Sequence, residues 1–98
     1  MPYSIEITAD AEADLGVYPA YERKIITAGV RQQLSNEPLV ETKNRKRLRP
    51  HAITPWELRL GHYRVFYTVD GDTMTITVMA VGHKDRNRVF IRGQRVTL

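Results

Sequence analysis

The sequence predicts an α+β domain: two N-terminal helices packed on one face of a twisted, mainly antiparallel four- to five-stranded sheet, in the order β-α-α-β-β-β. Three observations carry this. Helical spacing of apolar residues is confined to the first 34 positions, and period-two alternation dominates from Trp56 onward. Two tight-turn signals, Gly61-His62 and Asp70-Gly71-Asp72, join the later strands as hairpins. Helices ahead of an antiparallel meander segregate to one face of its sheet. At 98 residues the chain has room for one core, so a single domain over residues 1–98 is expected.

The first strand is read from Tyr3 to Ile7, with Tyr3, Ile5 and Ile7 on one side. Thr8 is the natural N-cap of a short helix. Asp10, Glu12 and Asp14 fall near the positive end of its dipole, and Gly16 and Pro19 interrupt it. A second helix is expected from about Tyr21 to Leu34. Ile26, Val30 and Leu34 lie four apart with Ile25 beside them, forming one apolar stripe. Gly29 inside that helix costs about 1 kcal/mol relative to Ala, which predicts a close neighbour there. Residues 35–55 carry Pro38, Pro50 and Pro55 and read as a long connection, mostly loop. The strands Trp56–Leu60, Tyr63–Val69 and Thr73–Val81 follow, then a charged stretch from His83 to Arg88 and a short strand, Val89–Ile91.

Composition narrows the function. Residues 1–42 hold three bases and seven acids, 3 − 7 = −4; residues 43–98 hold twelve bases and four acids, 12 − 4 = +8. A polarised basic half points to a polyanionic partner, nucleic acid first and an acidic protein segment next. The stretch Lys43 to Arg49 alone, KNRKRLR, has five bases in seven residues. There is no cysteine, which removes disulfides, thiolate zinc sites and cysteine nucleophiles. No apolar run approaches the ~20 residues that span a bilayer, and the N-terminus lacks a signal-peptide pattern, so a soluble cytoplasmic protein with no membrane partner is expected. No His/Asp/Glu spacing matches a metal site, and neither a metal nor a cofactor is expected.

The first hairpin carries the chemistry. With Gly61-His62 as a two-residue loop, Leu60 pairs with Tyr63 and Arg59 lies opposite Arg64, both on the face away from Trp56, Leu58, Val65 and Tyr67. Like charges directly opposite destabilise a sheet by roughly 0.2–1 kcal/mol unless something anionic sits over them. Glu57, one pleat away, is an internal candidate; a bound phosphate, gripped bidentately, is the functional one. Phe66 on that face offers a ring to a base or packs under a loop. Strict alternation puts Met79, Val81 and His83 on the same face, followed by Lys84, Arg86 and Arg88. Basic side chains around an open sheet face suit an RNA backbone. Among the histidines, His51 reads as solvated in its loop and His62 as a turn residue. His83, beside Lys84, is the candidate for proton transfer near neutral pH.

Residues 56–90, WELRLGHYRVFYTVDGDTMTITVMAVGHKDRNRVF, resemble the core of the RelE/ParE superfamily of bacterial type II toxin–antitoxin toxins. The pattern there is L-R-x-G-x-Y-R-V-x-Y, an acidic turn, a hydrophobic strand, V-G-H/K-R/K and a late aromatic. The upstream Lys46-Arg47-Leu48 and the β-α-α start fit as well. The resemblance implies ribosome-dependent mRNA cleavage without a metal, the ribose 2′-OH attacking the adjacent phosphate. By motif position it implies Arg59, Arg64, His83 and Lys84 as the catalytic set. Lys43, Arg45, Lys46, Arg47, Arg49, Arg86, Arg88 and Phe90 would then contact RNA. Phe90 stands where RNases of the family carry a tyrosine, and it has no proton to give. Arg59 replaces what is often lysine, and a guanidinium, which stays protonated, is a poor general base. Two alternatives follow from the missing phenol: a ParE-like inhibitor of DNA gyrase, or a catalytically weakened protein that only binds its antitoxin. In each case the implied partner is an acidic antitoxin, the toxin being monomeric when free and in a higher-order complex when bound; the first reading adds ribosome and mRNA.

Overall fold

The structure is a computed structural model describing residues 3–35, 38–48 and 54–96. The elements run β1 (Ser4–Ile7), α1 (Ala9–Leu15), α2 (Ala20–Leu34), β2 (Arg45–Arg47), β3 (Trp56–Leu60), β4 (Tyr63–Asp70), β5 (Thr75–Asp85), β6 (Arg88–Ile91) and β7 (Gln94–Val96). All seven strands join one sheet in the order β2-β3-β4-β5-β6-β7, and β1 pairs in parallel with the first half of β5. The sheet is thus larger than the four to five strands expected. β2 comes from the basic stretch read mostly as loop, and β7 from the C-terminal tail. No described helix is long and apolar enough to cross a membrane.

The helices form where their caps and breakers dictate. The Thr8 side chain accepts from the Ala11 N–H, and α2 starts directly after Pro19. Ile26, Val30 and Leu34 of α2 are buried with Ala11 and Leu15 of α1 against Trp56, Leu58, Val65, Tyr67, Ile76, Val78 and Val81. Ile25, expected in the same stripe, is 52% exposed. It lies one residue, about 100° of helix, round from Ile26. A Cβ on Gly29 would stand 2.6 Å from Leu60, the close neighbour the sequence predicts.

The opposite face of the sheet carries a smaller cluster of Phe66, Ala80 and Val89, flanked by Leu48 and Ile91. Phe66 therefore packs beneath neighbouring segments and is not presented as a ring to solvent. The register shifts between Phe66 and Tyr67: Phe66 pairs with Ala80 and Tyr67 with Val78, so Met79 is the extra residue of a bulge. The bulge reverses the side parity of β5. Val81 pairs with Val65 and His83 with Tyr63, so both lie on the helix side. The expectation of Met79, Val81 and His83 on the Arg64 face is corrected by this one inserted residue.

Candidate functional site

The hairpin forms in the expected register: Leu60 pairs with Tyr63 and Arg59 with Arg64. Gly61 takes φ +61°, which glycine adopts without steric cost. The two guanidiniums do not form an open cradle. Arg59 Nε donates to Glu57 Oε1 at 2.7 Å, and Glu57 is buried. Arg64 is buried, and its Nη1 donates to the carbonyls of Gly61 and Tyr63 at 2.7 and 2.9 Å. Burial lowers its pKa from the ordinary value, opposed by the Glu57 charge and assisted by Arg59. Among the described residues Nε and Nη2 of Arg64 form no hydrogen bond. One internal carboxylate thus serves two guanidiniums, and the pair retains a net positive charge.

The Gly61-His62 turn ends the hairpin, with Arg64 on one face of the sheet beside it and Tyr63 and His83 on the other. The Lys84 N–H donates to the His62 carbonyl at 2.7 Å, which fixes the end of β5 to the turn that Arg64 braces. Lys84 pairs with Val89 and so stands, exposed, on the Arg64 face. On the helix side, His83 Nδ1 lies 2.7 Å from the Tyr18 hydroxyl. The His83 ring stacks on Phe90 with centroids 5.7 Å apart and meets His62 edge-on at 6.5 Å. The Tyr63 hydroxyl donates to Glu22 Oε1 at 2.7 Å, and its ring lies 4.1 Å from that of His62. The Tyr63 pKa is pushed up to about 12, first by the Glu22 hydrogen bond and then by burial. That of Tyr18 is also pushed up to about 12, chiefly by burial. Both remain phenols at neutral pH.

Beyond the turn, Asp85, Arg86, Arg88 and Phe90 line a cleft of about 370 Å³. Arg86 and Asn87 both have positive φ, 51° and 70°, making the tight turn that projects these side chains. Lys43 and Arg47 are exposed and Lys46 half-buried. Arg45 leaves the candidate RNA surface: it is buried, with Nε donating to Val40 O and Nη1 to Gln33 O, so its fork ties β2 to the end of α2. Arg49 and His51 lie outside the described residues. No described group of three or more His, Cys, Asp or Glu could hold a metal ion.

Four features of the site were not read from the sequence. Tyr18 lies between Gly16 and Pro19, which interrupt the helix, and its hydroxyl is 2.7 Å from His83 Nδ1. Glu22 enters only the charge count and Tyr63 only the strand alternation, and they bond each other. Asp14 is also buried. Its Oδ2 accepts from the Val81 N–H at 2.9 Å, and its Oδ1 lies 2.7 Å from Arg92 Nε.

A sequence model described as the ParE toxin of the type II toxin–antitoxin system, parDE, matches residues 5–88. The chain belongs to the RelE/ParE family of type II toxins. Toxin RelG of Mycobacterium tuberculosis (strain ATCC 25618 / H37Rv) is 30% identical over 84 residues, covering 86% of this chain and 93% of that protein. Among solved structures, the M. tuberculosis toxin–antitoxin complex RelBE2 contains a chain with TM-score 0.75 and 28% identity, over 86% of this chain and 93% of its own. The archaeal RelE–RelB complex of Pyrococcus horikoshii OT3 has one with TM-score 0.68 and 24% identity, over 88% and 99%. Two helices on one face of a mainly antiparallel sheet are thus the fold of this toxin family.

Proposed function

We propose that this RelE/ParE-family toxin acts in the cytoplasm as a ribosome-dependent mRNA endoribonuclease. The observation that supports this best is that Arg64 binds the Gly61 carbonyl of the turn while the Lys84 backbone, next to His83, binds the His62 carbonyl of the same turn. Arg64 is anchored by Nη1 on the turn carbonyls, which leaves its remaining N–H groups for phosphate oxygens. Arg59, held by Glu57, and Lys84 flank it and stabilise the charge that grows on a pentavalent phosphorus. In the reaction the ribose 2′-OH gives up its proton, O2′ bonds to phosphorus, and the P–O5′ bond breaks. The leaving O5′ takes a proton, and the products are a 2′,3′-cyclic phosphate and a 5′-hydroxyl. His83 moves a proton in this sequence, and the chemistry requires no metal or cofactor. Lys43, Lys46, Arg47, Arg86 and Arg88 contribute backbone phosphate contacts, and Phe90 a stacking surface.

The partner that restrains the toxin is an acidic antitoxin, supported by the RelBE2 chain being solved as a toxin–antitoxin complex. A mainly apolar groove of about 110 Å³ between the helices and the sheet, lined by Ile5, Ile7, Leu15, Ile26, Val30 and Val78 with Arg31 beside them, gives such a segment its grip. The free toxin is then a monomer and the complex a higher-order assembly.

A second reading, inhibition of DNA gyrase, is favoured by the ParE model match and by Phe90 lacking a hydroxyl. One experiment separates the two: mapping of mRNA 3′ ends during translation arrest, run beside a DNA-supercoiling assay. Codon-phased cleavage with normal supercoiling is expected. Intact mRNA with blocked supercoiling would replace the ribonuclease reading with the gyrase one.

A further inference from the structure

We infer that His62 and His83 act as a two-histidine acid–base pair across the scissile phosphate, a deepening that rests on the ribonuclease reading above. The two rings stand 6.5 Å apart and 75° to one another, on the turn and on the strand beside it. That separation lets each reach an oxygen of one phosphodiester by a hydrogen bond of roughly 2.6–3.2 Å. His62 is exposed and His83 half-buried, so both are open to a substrate. His62 lies on the Tyr63 ring, its own carbonyl is bound by the Lys84 N–H, and His83 is fixed through Nδ1 by Tyr18.

The division of labour follows from what each ring touches. His83 as imidazolium donates Nδ1–H to the Tyr18 oxygen and directs Nε2–H outward. It stacks on Phe90 and gives its Nε2 proton to the leaving O5′. His62, as neutral imidazole, takes the proton from the 2′-OH as O2′ bonds to phosphorus and the P–O5′ bond breaks. After one turnover the two rings have exchanged protonation states, and solvent returns each to its starting form. The charged and titratable groups around the pair are Tyr18, whose backbone carbonyl is bound by Arg23, together with Tyr63 and its partner Glu22, Lys84 on β5, and Arg64 beneath the turn.

The test is the pH dependence of the cleavage rate of ribosome-bound mRNA by the full-length toxin, His62→Gln and His83→Gln, each confirmed folded by circular dichroism. The wild type is expected to give a bell-shaped profile. His62→Gln should lose the acidic limb, His83→Gln the alkaline limb, and each should cut the rate by roughly 10²–10⁴. His62→Asn repeats the first arm with a residue suited to turns. A wild type that cleaves while a folded His62 variant keeps its rate and both limbs overturns the pair and leaves the ribonuclease reading standing. A wild type that cleaves nothing overturns both.

Discussion

Single residues decide most of what this site can do. Glu57 is the anion under the Arg59/Arg64 pair, so the like-charge juxtaposition on the ladder is half neutralised from within. The other half is Arg64, buried and bonded to carbonyls, which carry partial charge only. Such a guanidinium gains more when an anion arrives than one already bonded to a carboxylate, as Arg59 is to Glu57. Asp14 shows the structural use of a buried charge. It joins α1 to the β5 backbone and, through Arg92, to the β6–β7 turn, where Arg92 itself has φ 50°. Asp14→Asn should lower the unfolding free energy by about 1–3 kcal/mol in a denaturant titration, and Arg92→Ala should cost less in that background than in the wild type. Equal costs in both backgrounds would show the pair to be uncoupled.

At the level of elements, the hairpin was legible and the sheet edges were not. Leu60, Gly61, His62 and Tyr63 carry turn and alternation signals so local that the register of Arg59 on Arg64 could be counted from them. α2 was equally plain from Ile26, Val30 and Leu34. The side of β5 on which His83 stands depends on the bulge at Met79, a tertiary accommodation that alternation cannot contain. β2 and β7, three residues each, are paired strands only because β3 and β6 offer edges. Arg45 likewise reads as surface charge until β2 turns it inward. Gly82 lets β6 pack close against β5: a Cβ there would run into the Phe90 carbonyl and, at 2.9 Å, Ile91 Cγ1. Gly82→Ala should therefore push β6 away from β5, cost roughly 1–3 kcal/mol, and move the Phe90 ring off His83. An unshifted Phe90 resonance in NMR spectra would contradict that.

For the whole molecule, the basic half and the buried phenols make two predictions. Tyr18 and Tyr63 hold their protons to about pH 12 when folded, against about 10 unfolded. Between those values the unfolded chain binds fewer protons than the native one. Stability is thus fully present below pH 10 and falls as pH rises toward 12. A thermal midpoint that stays level across this window would contradict the burial of Tyr18 and the Glu22 hydrogen bond of Tyr63. Binding to ribosomes should weaken with salt along a log–log slope near −0.7 per phosphate contact. A slope near zero would contradict a phosphate-binding surface.

On the proposed reading, the Arg64-braced turn holds the phosphate that is cut. Single-turnover cleavage of ribosome-bound mRNA, with its 3′ ends mapped, measures this most directly in wild type, Arg64→Ala and Arg64→Lys. The wild type should leave 2′,3′-cyclic phosphate ends. Folded Arg64→Ala should lose roughly 10²–10³ in rate, as when a transition-state donor is removed. Arg64→Lys should recover little of it, because an ammonium lacks the planar fork. Wild-type rates and ends from a folded Arg64→Ala protein would contradict the claim.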